Sequence, residues 1–272
     1  MEYIAYFYIY AFLGWCLEIV YQGFKKGRFI NRGFLLGPWC PIYGITALLI
    51  IEGSRFFSSA LAVFVMTLIV GSLLELIVGV LLNFFFHQRW WDYSEYPLNL
   101  KGYICPLFSF GWGICGVFLI KILHPPIHFF YESLSNTAVS AVLGVLAVFF
   151  ATDIVLTILS LLKINRRVKE IDELRGIMKK ISDQLGEQVY ERSTEALDSR
   201  LGKQIQLDFK EVKTLKELGF TKEGYEKVKE IRARKASFLE KRLISQFEKA
   251  RSTKYKEAFE DLKKNIRKRI EE

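Results

Sequence analysis

The sequence predicts an all-α membrane protein: a polytopic transmembrane helix bundle of about five spans with an internal two-helix repeat, followed by a helical cytoplasmic tail. Three observations predict it. Apolar runs of membrane-crossing length fill the chain up to Leu162. Charge is divided unevenly: eight basic and eight acidic side chains lie between Met1 and Leu162, whereas 30 basic stand against 21 acidic ones from Lys163 onward, so the whole +9 sits in the tail. A glycine-rich motif also recurs after two similar hydrophobic segments. The predicted division is therefore a transmembrane domain over 1–162 and a basic helical domain, partly coiled coil, over 163–272.

The repeat is the organising feature. The stretch Gly27-Arg28-Phe29-Ile30-Asn31-Arg32-Gly33-Phe34-Leu35-Leu36-Gly37-Pro38-Trp39-Cys40-Pro41-Ile42-Tyr43-Gly44 has a degraded copy in Asn99-Leu100-Lys101-Gly102-Tyr103-Ile104-Cys105-Pro106. Aligning the copies pairs Gly14 with Gly71, Glu18 with Glu75, Asn31 with Asn99, Gly33 with Gly102, and Cys40-Pro41 with Cys105-Pro106.

A hydrocarbon core of about 30 Å needs about 20 helical residues to cross. The segments that qualify by length or apolarity run from Tyr3 to Phe24, Phe34 to Ile51, Ser59 to Phe86, Tyr103 to Leu123, and Ala138 to Leu162. Backbone in lipid must satisfy its own hydrogen bonds, so these runs are predicted helices. The first begins beside Glu2 with no basic n-region and no small-residue cleavage site, which marks a span rather than a removable signal. Cys16, Cys40, Cys105 and Cys115 lie in or beside apolar segments without zinc or redox spacing, and are expected as buried thiols.

Orientation follows from short loops. Lys25, Lys26, Arg28 and Arg32 crowd the first connection with no acid, Glu52 to Ser58 is short and neutral, and the tail opens with Lys163, Arg166 and Arg167. Basic loops stay cytoplasmic, which puts the N-terminus outside and the tail inside the cell membrane. Trp90, Trp91, Tyr93 and Tyr96 in the third connection suit a headgroup-level aromatic belt.

Proline fits the first turn of a helix because its missing N–H would have no partner there. The Cys40-Pro41 and Cys105-Pro106 pairs are therefore expected to start helices, with the preceding glycine-rich stretch entering without helical structure. Such irregular backbone survives at membrane depth only against protein or a wet cavity, and matched interruptions in two halves point to a transport site. A pair of ordinary kinked helices is the plainer alternative.

Three acids fall inside predicted spans. Glu18 shares a face with Tyr10, Gly14 and Gln22, Glu75 with Gly71, Gly79 and Asn83, and Asp153 with Thr157 and Ser160. Small residues at this spacing let helices approach, so the carboxyls are expected to face protein. An acid in the bilayer interior costs about 2.5 to 3.5 kcal/mol even on the lenient scale, and by default marks a functional site. Acids out of water favour the neutral form, the chemistry of a proton or cation relay. A carboxyl bonded to a backbone carbonyl, or paired with Arg32 or Arg89, is the structural alternative. At the inner mouth Asn31, Arg32, Arg89, Asp92 and Asn99 are candidate pathway residues, the arginines being able to hold a phosphate or headgroup by two hydrogen bonds. His87 has only Asp92 and Glu95 nearby, so no metal site is expected.

Gly14-Trp15-Cys16-Leu17-Glu18, Asn31 to Pro38 with Cys40 to Gly44, and Trp90-Trp91-Asp92-Tyr93-Ser94 through Asn99, Gly102 and Cys105 resemble the CmpB-type ABC-transporter permease family of bacterial membrane proteins. The resemblance covers the membrane half and leaves out the tail. It implies an integral protein of the bacterial cell envelope with a permease role. It brings no catalytic or binding residues.

No GxxxxGK[ST] loop, nucleophile elbow, HExxH or dinucleotide fingerprint occurs, so no enzymatic activity and no cofactor is predicted, and an ABC permease would need its ATPase on a separate chain. In the tail Ile164, Ile171, Met178 and Leu185 recur every seventh residue with Leu174 and Ile181 between them, a short coiled-coil pattern that would make a parallel homodimer. A helix folding back on the tail is the other reading. Leu218-Gly219-Phe220-Thr221 looks like a helix stop and restart. Tyr255, Phe259, Leu262, Ile266 and Ile270 make one apolar stripe against Lys263, Lys264, Lys268 and Arg269, which reads as an element for a membrane surface or a partner, with a solvated helical bundle the commonest explanation. Nucleic acid is not expected, because acids interleave with the bases. The leading function is a transport permease with a polar site between the repeats; a membrane scaffold or sensor acting through its tail, and a lipid-handling enzyme, are the alternatives.

Overall fold

The computed structural model describes residues 1–26, 34–198 and 251–271. In chain order these form α1 (Glu2–Lys26), α2 (Pro41–Ser54), α3 (Ala60–Phe86), β1 (Gln88–Arg89), α4 (Pro106–Phe118), a π-helical turn (Leu119–Leu123), α5 (His124–Glu132), α6 (Asn136–Asp198), β2 (Arg251–Ser252) and α7 (Lys256–Glu271). Among the described residues four helical stretches are long and apolar enough to cross a membrane: Glu2–Phe24, Ala60–Phe86, Pro106–Glu132 and Asn136–Gly176. The chain is an all-α, multi-pass membrane protein.

The expected second span is corrected. Helix α2 has 14 residues, about 21 Å at 1.5 Å per residue, too short to cross a bilayer alone. Its start is set where Pro41 takes the first turn and Cys40 the N-cap. Residues 34–40 run without helix, as expected before the Cys-Pro pair, and three of their amides bond other elements. Leu36 and Gly37 donate to Asp153 at 2.7 Å each, and Cys40 donates to the Ala11 carbonyl at 2.9 Å. Helix α4 begins the same way, with Pro106 in its first turn and Cys105 as N-cap.

The fourth span is longer than its apolar run suggested. His124-Pro125-Pro126 would break an ordinary helix interior, but both prolines fall in the first turn of α5. The π-helical turn just before them widens the backbone by one residue, so that α4 and α5 continue as a single span. Helix α6 runs unbroken through Leu162 and Lys163, where only the side-chain chemistry changes.

Small residues set the packing. On α3 the buried row Val63, Thr67, Gly71, Ser72, Glu75 and Gly79 faces α4. Phe64 fills the space beside Gly113, Thr67 that beside Gly116, and Ser72 donates to Ser109 at 2.6 Å. Without a water-driven force between helices in lipid, such close contacts and buried hydrogen bonds are what hold spans together. The opposite faces carry Leu61, Ile69, Leu73, Ile77 and Val148, all exposed to the surroundings that lipid would supply.

Helix α7 returns to the membrane domain. Its stripe residues Phe259, Leu262 and Ile266 are buried with Ala258 against Leu161, Ile164 and Val168 of α6 and against Trp90. Of the readings of this stripe the membrane surface is corrected and the helical bundle fits: α6 covers Phe259, Leu262 and Ile266. Arg175 reaches both Glu257 and Asp261, and Gln88–Arg89 pairs antiparallel with Arg251–Ser252. Ile164, the first of the heptad positions, is therefore occupied within the chain. The side chains of Met178, Ile181 and Leu185, and the Leu218 to Thr221 segment, lie outside the described residues.

Candidate functional site

The site grows from two matching arrangements. Glu18 stands one turn after Gly14 on α1, and Glu75 one turn after Gly71 on α3, so each pair shares a helix face. The ring of Tyr43 on α2 lies across Gly14, and the ring of Trp112 on α4 lies across Gly71, where a Cβ would collide with either ring. Each ring then reaches the glutamate beyond. Tyr43 Oη donates to Glu18 at 2.8 Å, and Trp112 Nε1 donates to Glu75 at 3.2 Å. The two rings meet at a centroid separation of 5.1 Å. The glycines permit this approach, and it brings both acids to one place.

Glu75 is buried and has a second donor, the hydroxyl of Tyr93 at 2.8 Å. Tyr93 stacks on Phe108 with centroids 4.4 Å apart and planes 16° apart. Phe108 holds the position after Cys105 that Tyr43 holds after Cys40. In the second half the ring comes from the helix and the hydroxyl comes from the loop.

That loop, residues 87–105, is built to present Tyr93. His87 closes α3 in the left-handed conformation, and Leu98, Lys101 and Gly102 also have positive φ. Asn99 holds the turn: its carbonyl accepts the Gly102 N–H at 2.8 Å, and its amide donates to the Tyr96 and Ser94 carbonyls at 2.8 and 3.3 Å. Arg89 donates to the Lys101 carbonyl at 2.8 Å and lies over the Tyr103 ring. Trp91 Nε1 donates to the Tyr103 carbonyl at 2.9 Å, and Trp90 is buried against α6 and α7. Trp90 is buried, and Trp91, Tyr93 and Tyr96, expected at headgroup level, are half-buried against the protein.

Two cavities meet at the acids. The smaller, about 310 Å³, is lined by Glu18, Glu75, Asp92, Tyr96, Phe108 and Cys115 among others. The larger, about 440 Å³, runs from Glu18 and Glu75 past Cys40, Pro41 and Phe34 to Leu82, Phe150 and Ile158. Tyr43, Trp91, Tyr93 and Trp112 line both. Of the residues singled out from sequence, Glu18, Glu75, Asp92, Cys40 and Pro41 come together here. Arg89 and Asn99 hold the loop instead, and Cys105 and Pro106 start α4 outside the cavity walls. Asp153 reaches neither cavity; it fastens the Leu36–Gly37 backbone and accepts from Thr157 at 3.2 Å. Asn31 and Arg32 lie outside the described residues.

Sequence reasoning missed the aromatic donors. Tyr43 was inside the repeated motif, and Trp112 stood between Gly111 and Gly113, a polar-tipped ring between two glycines within an apolar run. It also missed a second cluster where α1 meets α5. There Tyr6 Oη shares a hydrogen bond with His128 Nδ1 at 2.6 Å, and Tyr10 Oη with His124 Nδ1 at 2.8 Å. The signal was two histidines four residues apart just past the predicted end of a span. Among the described residues no three His, Cys, Asp or Glu side chains converge as a metal site would require.

Fold and site together define a multi-pass helical membrane protein with acidic, aromatic-walled cavities between two pairs of helices. Residues 5–158 match the model of the CmpB family, described as "Putative ABC-transporter type IV", and the chain belongs to that family. The match spans the membrane helices and ends before the tail. No curated protein and no solved structure matches the chain.

Proposed function

We propose that the chain is the permease of a transport system whose solute passes between the α1–α2 and α3–α4 pairs, at Glu18 and Glu75. The observation that carries this reading is the shared wall: the same two carboxyls and four rings line both cavities. Ionisable side chains within spans are expensive and line substrate or ion routes. The Cys40-Pro41 and Cys105-Pro106 helix starts, at matching places in the two halves, fit a site between sequence repeats. Rocking of one pair against the other about the Tyr43–Trp112 contact would expose the acids to each side in turn. Asp92 would stand at the inner mouth, with Asn31 and Arg32 on the neighbouring connection.

In this reading the N-terminus is outside and the tail cytoplasmic, with α2 and the irregular 34–40 stretch together completing the return crossing. The protein works as a homodimer in the cell membrane, and the ATPase that drives it is a separate chain that the family name leads one to expect. Gentle-detergent purification of the tagged protein from its host, with identification of every co-purifying chain, tests the assembly. A stoichiometric nucleotide-binding ATPase supports it, and recovery of this chain alone contradicts an ABC assembly.

One observation favours a second reading, a scaffold or sensor acting through its tail. Helix α7 and β2 attach directly to the loop that carries Tyr93. Replacing Glu18 and Glu75 by glutamine separates the two readings: a permease loses transport while folding is intact, and a scaffold keeps its partner.

A further inference from the structure

Helix α7 does more than cover α6, because the segment leading into it closes the end of α3. Arg251–Ser252 pairs antiparallel with Gln88–Arg89, with Ser252 opposite Gln88. The carbonyl of His87, the residue that ends α3, accepts the Thr253 N–H at 2.9 Å and the Ser252 hydroxyl at 3.3 Å. The Thr253 hydroxyl donates to Asn83 Oδ1 at 2.8 Å, one turn inside α3. Ser252 Oγ also accepts the Tyr255 N–H at 3.0 Å, which ties the tail's strand to its helix.

From Asn83 the bonds lead to the site. Its side-chain amide donates to Tyr103 Oη at 3.1 Å, and the Tyr103 ring lies across Gly79, one turn after Glu75. The carbonyl of the neighbouring Gly102 accepts the Tyr93 N–H at 2.9 Å, and Tyr93 Oη donates to Glu75 at 2.8 Å. A second route runs through Trp90, three residues before Tyr93 and buried in one cluster with Phe259 and Leu262 of α7. His87 and Lys101 stand beside these routes with φ of 52° and 50°. Side chains other than glycine keep that conformation only where their surroundings impose it, so the loop holds its shape through its bonds on both sides.

We infer that the tail is a strap on the site: docking of residues 251–271 holds the loop so that Tyr93 reaches Glu75, and release of the tail lets the loop and the Tyr93–Glu75 bond go together. In the orientation proposed above, a cytoplasmic event at α7 thereby reaches a wall that both cavities share. The strap goes beyond the permease reading and does not rest on it, because it concerns how the wall is held and not what passes.

Hydrogen exchange read by mass spectrometry on the full chain in lipid nanodiscs tests the strap. Phe259→Ala frees the tail, scored by protease cleavage after Arg251. Exchange in residues 91–104, where the Tyr93, Leu100 and Gly102 amides are bonded within the loop, should then rise by about tenfold, an ordinary size for coupling between sites. Exchange in α2 should stay as in the wild type. A freed tail with unchanged exchange in 91–104, or an equal rise in α2, overturns the strap. Thr253→Val removes only the hydroxyl bond to Asn83 and answers the question if Phe259→Ala does not fold: exchange in 91–104 should rise by about fivefold, and no rise refutes the strap. Coupling must also run in reverse. Tyr93→Phe keeps the ring and removes the bond to Glu75, so it should speed cleavage of the tail by about fivefold. Cleavage at the wild-type rate in that variant would show that docking of α7 stops short of the site.

Discussion

Tyr43 and Trp112 meet ring to ring with centroids 5.1 Å apart, each lying across a glycine one turn before a span glutamate. The contact joins the two helix pairs and places Glu18 and Glu75 on one wall. It depends on the missing side chains of Gly14 and Gly71. Substituting alanine at either should force the ring aside and destabilise by about 1 to 3 kcal/mol. Gly23→Ala and Gly144→Ala, where the surrounding space is open, should be neutral or slightly stabilising. Thermal unfolding in detergent compares the four, and equal effects would contradict the close approach.

The hydroxyls of Tyr43 and Tyr93 hold the two carboxyls. Tyr43→Phe and Tyr93→Phe keep the rings and remove only the donors. Each should cost about 0.6 to 2 kcal/mol, the range for hydrogen bonds between membrane helices. Tyr93→Phe should have the smaller effect on the acid it serves, because Trp112 still donates to Glu75. Unchanged unfolding midpoints in both variants would show that the hydroxyls do not hold the acids.

Asp153 fastens an irregular segment rather than a cavity. Its two oxygens take the Leu36 and Gly37 amides, which sit just before buried Cys40. Asp153→Ala strands both N–H groups, at about 1 to 3 kcal/mol each. Residues 34–40 should loosen, and Cys40 should react faster with a membrane-permeant maleimide than in the wild type. Asp153→Asn keeps one acceptor and should lie between. Unaltered Cys40 reactivity in Asp153→Ala would refute the role.

The tail helix is held by its apolar stripe. Phe259, 2% exposed, sits between α6 and Trp90. Phe259→Ala should weaken this docking by about 3 to 5 kcal/mol, making the segment after Arg251 sensitive to protease while the membrane helices stay protected. Equal protection in the variant and the wild type would argue that α7 is held by other contacts.

The helices and the helix starts were legible because hydrophobic length, Cys-Pro pairs and small residues at four-residue spacing act locally. Glu18 and Glu75 were legible for the same reason, since a charge in an apolar run has few explanations. The irregular backbone of residues 34–40 followed from the Cys40-Pro41 start, but its anchor did not. Their apolarity matched a span, and only Asp153, more than a hundred residues away, shows where their amides bond. The fourth span was expected to end at Leu123, because the π-turn that carries the helix on to Pro125-Pro126 has no sequence mark of its own. That Tyr93 reaches Glu75 and stacks on Phe108 was not legible, because nothing local shows how Asn99 and Gly102 turn the loop. The stripe of α7 was correctly apolar, but an amphipathic pattern does not name what covers it.

The account stands most directly on whether the acid-lined junction opens to both sides of the membrane. Cys115 lines the smaller cavity with Glu18 and Glu75, so it can report this in a variant carrying Cys16→Ser, Cys40→Ser and Cys105→Ser. Right-side-out and inside-out vesicles would be treated with membrane-impermeant cationic and anionic methanethiosulfonates. The account predicts labelling of Cys115 from both faces, faster with the cationic reagent, and a loss of that preference with Glu18→Gln and Glu75→Gln. Labelling from one face only, or from neither, would contradict it.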